Sequence, residues 1–204
     1  MTIQEMRTNL SNDCEDPSGT KFFAPQQYEA LNNAQLTVVR LLHRNYLTEI
    51  GAEKSGLALT GGVSAALNAS SLGYVLIKGN DGIISVKILS SGRFATKLEN
   101  EEIALINNTF YDGSDIDPTY IVIGGKLFVR PTSIASVDVN FIRKPATLTA
   151  SIDCELNESL HEIVVQIAES ELWASYNKTV RSEEAWKKAT QKIAAMNAVY
   201  AQSK

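Results

Sequence analysis

The sequence predicts an α+β protein in which N- and C-terminal helices form a bundle and an antiparallel β-rich subdomain is inserted between them. Apolar residues recur at helical spacing near both ends of the 204-residue chain, whereas the middle has short β-type runs separated by glycine and aspartate turns. Hydrophobic residues make up 44 % and charged residues 21 %, as in folded globular chains. We expect the N-terminal helices, the β-rich insert and the C-terminal helices to occupy 1–54, 55–150 and 151–204.

Two helices are predicted in the N-terminal segment. Thr2 and Glu5 have the spacing of a capping box, in which each side chain accepts a bond from a backbone amide. A second helix is predicted from Pro25 to about Gly51, because apolar residues repeat every three or four positions and proline suits a first turn. The Gly-, Ala- and Ser-rich segment 55–71 is predicted to be a flexible connection that can hold a short strand.

The middle of the chain is predicted to contain hairpins. The predicted strands are 74–78, 83–89, 120–123, 126–130 and 137–143. The pair Gly124-Gly125 accepts the positive φ angles that a two-residue hairpin turn requires. A short helix is predicted at 97–107, and the aspartate-containing segment 111–118 is predicted to be a loop.

The C-terminal segment returns to helical spacing. Asn157 is placed to cap a helix whose apolar positions continue to Leu172. A second helix is predicted from Ser182, with Ala185 and Ile193 on its apolar face. We expect these terminal helices to pack on each other.

The chain has few of the residues on which catalytic and metal sites depend. Its two histidines, His43 and His161, lie in predicted helices beside core positions, and Cys14 and Cys154 are too far apart for a Cys-x-x-Cys pair. We expect both cysteines to be reduced thiols. No zinc-protease, serine-hydrolase or phosphate-loop motif occurs. The sequence therefore predicts no catalytic residues, no cofactor, no metal ion and no enzymatic activity.

Charge and hydropathy restrict the partners. A formal net charge of −4 argues against holding nucleic acid by neutralising its phosphates, and it is compatible with DNA sliding past. No stretch approaches the roughly 18 apolar residues that cross a bilayer, and the first ten residues lack the pattern of a signal peptide. Asp112, Asp115 and Asp117 lack the glycine and final glutamate of a calcium loop, so an acidic turn is predicted.

Several short motifs follow one another in the second half of the chain, and helices come after them. They are Phe110-Tyr111-Asp112-Gly113-Ser114, Gly124-Gly125-Lys126-Leu127, Val129-Arg130-Pro131 and Phe141-Ile142-Arg143-Lys144-Pro145. Together with Leu31-Asn32-Asn33-Ala34 in an N-terminal helix, their order resembles that of the head-to-tail adaptor (connector or neck) proteins of tailed bacteriophages. The chain departs from the family pattern at Phe141, where a tyrosine is usual, and in lacking a proline after Asp153.

The resemblance implies a structural virion protein with a helical bundle and an inserted β-domain. Such adaptors form homo-oligomeric rings, commonly dodecameric, below the portal protein. The ring extends the DNA channel, so genomic DNA passes through the lumen without sequence-specific binding, and it offers a platform to tail or nozzle proteins. The expected location is the neck or tail region of the virion, after synthesis in the host cytoplasm and without membrane association. The alternatives are another tail or neck component, such as a tail terminator or tubular tail protein, and a small phage enzyme or nuclease.

Four residues are candidates for protein interfaces. Arg143 and Lys144 form a basic pair at a strand end, which is either an ordinary solvated pair or part of a subunit interface or DNA channel. Trp186 lies on the last helix, where an aromatic side chain packs in the core or anchors an interface. Lys204 ends a polar tail that has little to bury in a lone subunit. We expect the isolated protein to be monomeric and the ring to form on the portal.

Overall fold

The chain forms two compact units. The computed structural model describes residues 1–67, 82–99, 114 and 116–201. The helical unit consists of Met1–Ile50 and Pro145–Lys204, and the β unit consists of Gly51–Lys144. Helices on either side of a β-rich region confirm the predicted α+β class.

Four helices are described in the helical unit. They are α1 Ile3–Asp13, α2 Ala24–Leu41, α3 Glu158–Ser175 and α4 Thr179–Ala201. Helices α1, α2 and α4 all contact α3, and ten of the 18 residues of α3 are buried, so α3 is the central helix. No helix in the described ranges is long and apolar enough to cross a membrane.

Both predicted N-caps are present. The hydroxyl of Thr2 accepts a hydrogen bond from the Glu5 amide at 3.2 Å, and the Glu5 carboxylate accepts one from the Thr2 amide at 2.7 Å. The side-chain oxygen of Asn157 accepts a bond from the Ser159 amide at 3.0 Å. Each cap pairs an amide that helical bonding leaves unsatisfied, which typically stabilises a helix by about 1 kcal/mol.

Helix α2 is shorter than predicted, because it ends at Leu41 and not near Gly51. The side chain of Asn197 in α4 closes this end: its Nδ2 donates to the Leu41 carbonyl and its Oδ1 accepts from the His43 amide, both at 2.8 Å. Two short 3-10 turns follow, Arg44–Tyr46 and Thr48–Ile50. The end of α2 therefore depends on a tertiary contact with a distant part of the chain.

Helix α4 begins at Thr179 and not at the predicted Ser182. The Ser182 amide donates to the Lys178 carbonyl at 3.0 Å, so Ser182 already lies within the first turn. The hydroxyl of Ser170 in α3 donates to the Ser182 carbonyl at 2.8 Å and ties this turn to the bundle. The predicted apolar face of α4 is buried at Ala185, Ala189 and Ile193.

Seven described strands make one sheet in the order β3-β7-β1-β2-β6-β5-β4. They are β1 Gly51–Thr60, β2 Val63–Ala66, β3 Ile83–Ile88, β4 Thr96–Lys97, β5 Thr119–Ile123, β6 Lys126–Arg130 and β7 Ser136–Ile142. Adjacent strands are antiparallel except β4 and β5, which are parallel. One apolar core takes side chains from strands across the sheet, among them Leu57, Ile83, Val86, Tyr120, Leu127, Val129, Val137 and Phe141.

Four predicted strands are confirmed as β3, β5, β6 and β7. The turn between β5 and β6 is the predicted Gly124-Gly125 pair, with φ of 56° and 74°. The helix predicted at 97–107 is wrong at its start, because Lys97 lies in β4 and the Leu98 amide donates to the Tyr120 carbonyl. The rest of that helix, the strand at 74–78 and most of the loop at 111–118 lie outside the described residues.

The flexible connection predicted at 55–71 is wrong where the structure describes it, because β1 and β2 form a hairpin there. Gly61 and Gly62 make the turn, with φ of 56° and 76°. A Cβ on Gly62 would lie only 2.5 Å from the Val129 carbonyl oxygen, and the Val129 amide donates to the Gly62 carbonyl at 2.7 Å. Backbone pairing on both sides holds this segment, although its side chains are small and weakly apolar.

Candidate protein–protein interface

The predicted interface residues fall in different parts of the chain. Arg143 and Lys144 are the last two residues of the β unit, directly after β7. Arg143 is half-buried and its Nη1 donates to the Lys144 carbonyl at 3.4 Å, whereas Lys144 is exposed. Trp186 lies on α4 in the helical unit. Lys204 lies outside the described residues, and the structure does not bring the basic pair and Trp186 into one unit.

The two tryptophans have different surroundings. Trp173 in α3 is 5 % exposed, meets Phe22 edge-on at 5.7 Å and has the Arg181 guanidinium 4.7 Å above its ring. Trp186 is 41 % exposed. Its neighbour Ala185 is buried, and so is Ala189 one turn further along α4. Core packing therefore accounts for Trp173, whereas the side chain of Trp186 is exposed.

A polar cleft of about 320 Å³ lies between α1, the α1–α2 loop and the start of α2. Within it, Arg7 Nε donates to Gln27 Oε1 at 3.0 Å, Arg7 Nη1 donates to the Tyr28 hydroxyl at 3.3 Å, and the guanidinium lies 4.7 Å from the Tyr28 ring centre. Gln27 is 2 % exposed, and its Nε2 donates to the Ser11 hydroxyl and the Phe22 carbonyl. These contacts hold the guanidinium of Arg7 in place, and its acceptors Gln27 and Tyr28 are uncharged.

A second groove, of about 230 Å³, lies between α2 and α3 and is acidic. Glu29 and Asn33 line it from α2, and Glu171 lines it from α3. Burial raises the pKa of Glu171, a hydrogen bond with Asn33 lowers it, and the charge of Glu29 raises it again. The two carboxylates therefore repel each other across the groove.

The described part of the chain has no candidate metal site. No three His, Cys, Asp or Glu side chains are grouped there in a way that could hold a metal ion. His161 is buried with Nε2 at 2.8 Å from the Leu156 carbonyl, so this nitrogen carries the proton. His43 stacks on the Tyr200 ring at 4.7 Å. Both histidines pack within the helical unit.

A model of the SU10 adaptor protein family matches residues 1–203. The chain belongs to this family. The predicted resemblance to phage adaptors is thereby confirmed, since SU10 adaptors are structural adaptor proteins of bacteriophages and not an enzyme family. In general such adaptors associate with portal and tail proteins in the virion neck. No curated protein matches the chain.

The structure shows what the Leu31-Asn32-Asn33-Ala34 motif does in this SU10 adaptor. Leu31 and Ala34 are buried in the bundle. Asn32 Oδ1 accepts from the Leu148 amide at 2.7 Å and Asn32 Nδ2 donates to the Leu148 carbonyl at 3.2 Å. One side chain thus satisfies both backbone groups of Leu148. Sequence reasoning noted the motif and missed this role, although a polar residue beside two core positions of a helix is a usable signal.

The loop between α1 and α2 of the adaptor depends on Asp16. Asp16 is 2 % exposed and accepts hydrogen bonds from the amides of Thr20, Lys21 and Phe22 at 2.8–2.9 Å. Burial by itself raises the pKa of Asp16, but these amides and the Thr20 hydroxyl outweigh it and hold the pKa below its ordinary value. The loop places Lys21 so that its carbonyl accepts from the Tyr176 hydroxyl at 2.6 Å.

Proposed function

We propose that this adaptor forms a dodecameric ring below the portal, extends the DNA channel and provides the attachment platform for the tail. The observation that carries the proposal is the exposed side of α4. Of the 23 residues of this helix, the described buried side chains are those of Ala185, Ala189 and Ile193. A long helix that contacts its own bundle along so narrow a stripe has most of its surface available to another protein.

Trp186 is the proposed anchor on α4 for the portal. Large aromatic side chains contribute much of the binding energy at protein interfaces, because they bury a large rigid area. Trp186 is 41 % exposed beside the exposed Lys187 and Glu183, so its surroundings resemble the rim of such an interface. Arg143, Lys144 and Lys204 are proposed as further contacts to a neighbouring subunit, to the portal or along the channel.

The charge of the chain supports passage of DNA through the ring. With 23 acidic and 19 basic residues, a ring of many copies carries a net negative charge. Phosphates are then repelled more than they are bound, and no sequence-specific contact is needed for the genome to slide past.

Assembly is proposed to depend on the portal. Each copy has a net charge of −4, so free copies repel one another, and ordering of chain segments at an interface is entropically unfavourable until partner contacts offset it. The isolated chain is therefore proposed to be a monomer that forms the ring on its template.

Light scattering of the purified chain with and without portal rings tests this function. We expect a monomer alone, a ring-sized mass increase with portal, and at least about tenfold weaker binding for Trp186→Ala. Lys187→Ala is the matched control on the same helix. A substitution is preferable to truncation at Thr179, because truncation would expose the α3 surface that Ala185 and Ile193 cover. A stable free dodecamer would contradict templating, and location in the distal tail would favour another tail component.

A further inference from the structure

Two features of opposite charge lie on different sides of α2. Arg7 stacks over Tyr28, whereas Asn33 faces the acidic groove with Glu29 and Glu171. Residues of an α-helix advance by about 100° each, so Tyr28 and Asn33, which are five positions apart, point about 140° away from each other. Arg7 with Tyr28 and the acidic groove therefore lie on different sides of α2.

Neither feature is neutralised within the described part of the chain. The hydrogen-bond acceptors of Arg7 are the neutral groups of Gln4, Gln27 and Tyr28, and no described carboxylate lies within ion-pair distance of its guanidinium. On the other side, neither Glu29 nor Glu171 forms an ion pair with a cation in the described part of the chain. An arginine held by neutral partners and two carboxylates that repel each other are complementary.

We propose that Arg7 of one copy pairs with the Glu29–Glu171 groove of the next copy around the ring. This inference rests on the proposed function, because repetition about an axis brings one flank of each copy against the opposite flank of its neighbour. Buried Gln27 already orients the Arg7 guanidinium, so little further side-chain order is lost on pairing. A guanidinium between two carboxylates also relieves the repulsion across the groove.

Disulfide cross-linking in assembled particles tests the contact directly. The double variant Thr8→Cys with Asn33→Cys keeps Arg7 and carries one thiol beside it and one in the acidic groove, and the natural Cys14 and Cys154 are buried and do not compete. Mild oxidation is expected to give a ladder of covalent multimers on a non-reducing gel. The control pairs Thr8→Cys with Glu183→Cys, which is exposed on α4. Monomers only, or equal ladders from both pairs, would overturn the proposal.

Charge exchange gives an independent readout. Arg7→Glu is expected to lower the yield of infectious particles at least about tenfold, and adding Glu29→Arg is expected to restore most of it. An Arg7→Glu yield equal to the wild type, or a loss that Glu29→Arg does not rescue, would overturn the pairing. If the protein is present in particles and cross-linking fails, the pairing alone is wrong. If the protein is absent from purified particles, the proposed function is wrong as well.

Discussion

Replacement of Gly62 by alanine is expected to destabilise the β unit by about 3 kcal/mol. The added Cβ would lie 2.5 Å from the Val129 carbonyl oxygen and 3.2 Å from the Thr132 Cα, and both are backbone atoms that move only with their strand or turn. Overpacking of this kind typically costs about 1–3 kcal/mol. The φ of 76° adds about 1 kcal/mol to this cost, because a residue with a side chain is strained there. Any movement of β6 also weakens the hydrogen bond from the Val129 amide to the Gly62 carbonyl.

Gly61→Ala is the matched control for this substitution. Gly61 has a φ of 56°, but no atom lies within 4 Å of its added Cβ, so only the conformational cost of about 1 kcal/mol applies. Urea unfolding followed by far-UV circular dichroism measures both losses. The two tryptophans lie in the helical unit, so their fluorescence follows that unit separately. Equal losses for Gly61→Ala and Gly62→Ala would refute the argument from close backbone approach.

Three further perturbations follow from the helical unit. Asn32→Ala is expected to lower the free energy of unfolding by about 1–3 kcal/mol, because the amide and carbonyl of Leu148 lose their partner, and urea unfolding would show no change if water replaced it. Asp16→Asn is expected to destabilise the protein at pH 7. The folded pKa of Asp16 is lowered, so its carboxylate stabilises the fold fully above its unfolded pKa of about 3.9, and this contribution is lost as the pH falls through the lower folded pKa. In pH-dependent unfolding, the difference between wild type and variant should therefore begin to shrink at about pH 4 and vanish below the folded pKa. Burial raises the pKa of Cys14 to about 12 and raises that of Cys154, so both thiols should react with a thiol reagent much more slowly in native than in denatured protein; equal rates would contradict their burial.

Sequence patterns predicted the elements whose cause is local. The capping box at Thr2, the Asn157 cap and the Gly124-Gly125 turn all depend on residues within a few positions, and each is present. The predicted end of α2 was wrong because the residue that ends the helix, Asn197, lies far along the chain. Hydrophobic periodicity cannot show such a contact.

The β1–β2 hairpin was missed because its side chains show only a weak strand pattern. Its Gly61-Gly62 turn has the same residues as the confirmed turn at Gly124-Gly125. The flanking residues of β1 and β2 are mostly small or polar, so the alternation that normally marks a strand is weak. At the candidate interface, the sequence left Trp186 open between core packing and an interface anchor, and only the structure shows its side chain exposed. The surroundings of Arg7 depend on Gln27 and Tyr28 of another helix and also needed the folded structure.

The pairing of Gly51 with Ile142 has a consequence for how the chain can vary. Gly51 begins the β unit and Ile142 lies two residues before its end, and the two residues are partners on adjacent antiparallel strands. Paired Cα atoms lie about 5 Å apart, so the two ends of the β unit are as close together as the two ends of a short loop. Loop-closure entropy rises only slowly with the length of the chain enclosed. Insertions, deletions or exchange of the entire β unit therefore change the entropy of closing the helical unit's chain very little.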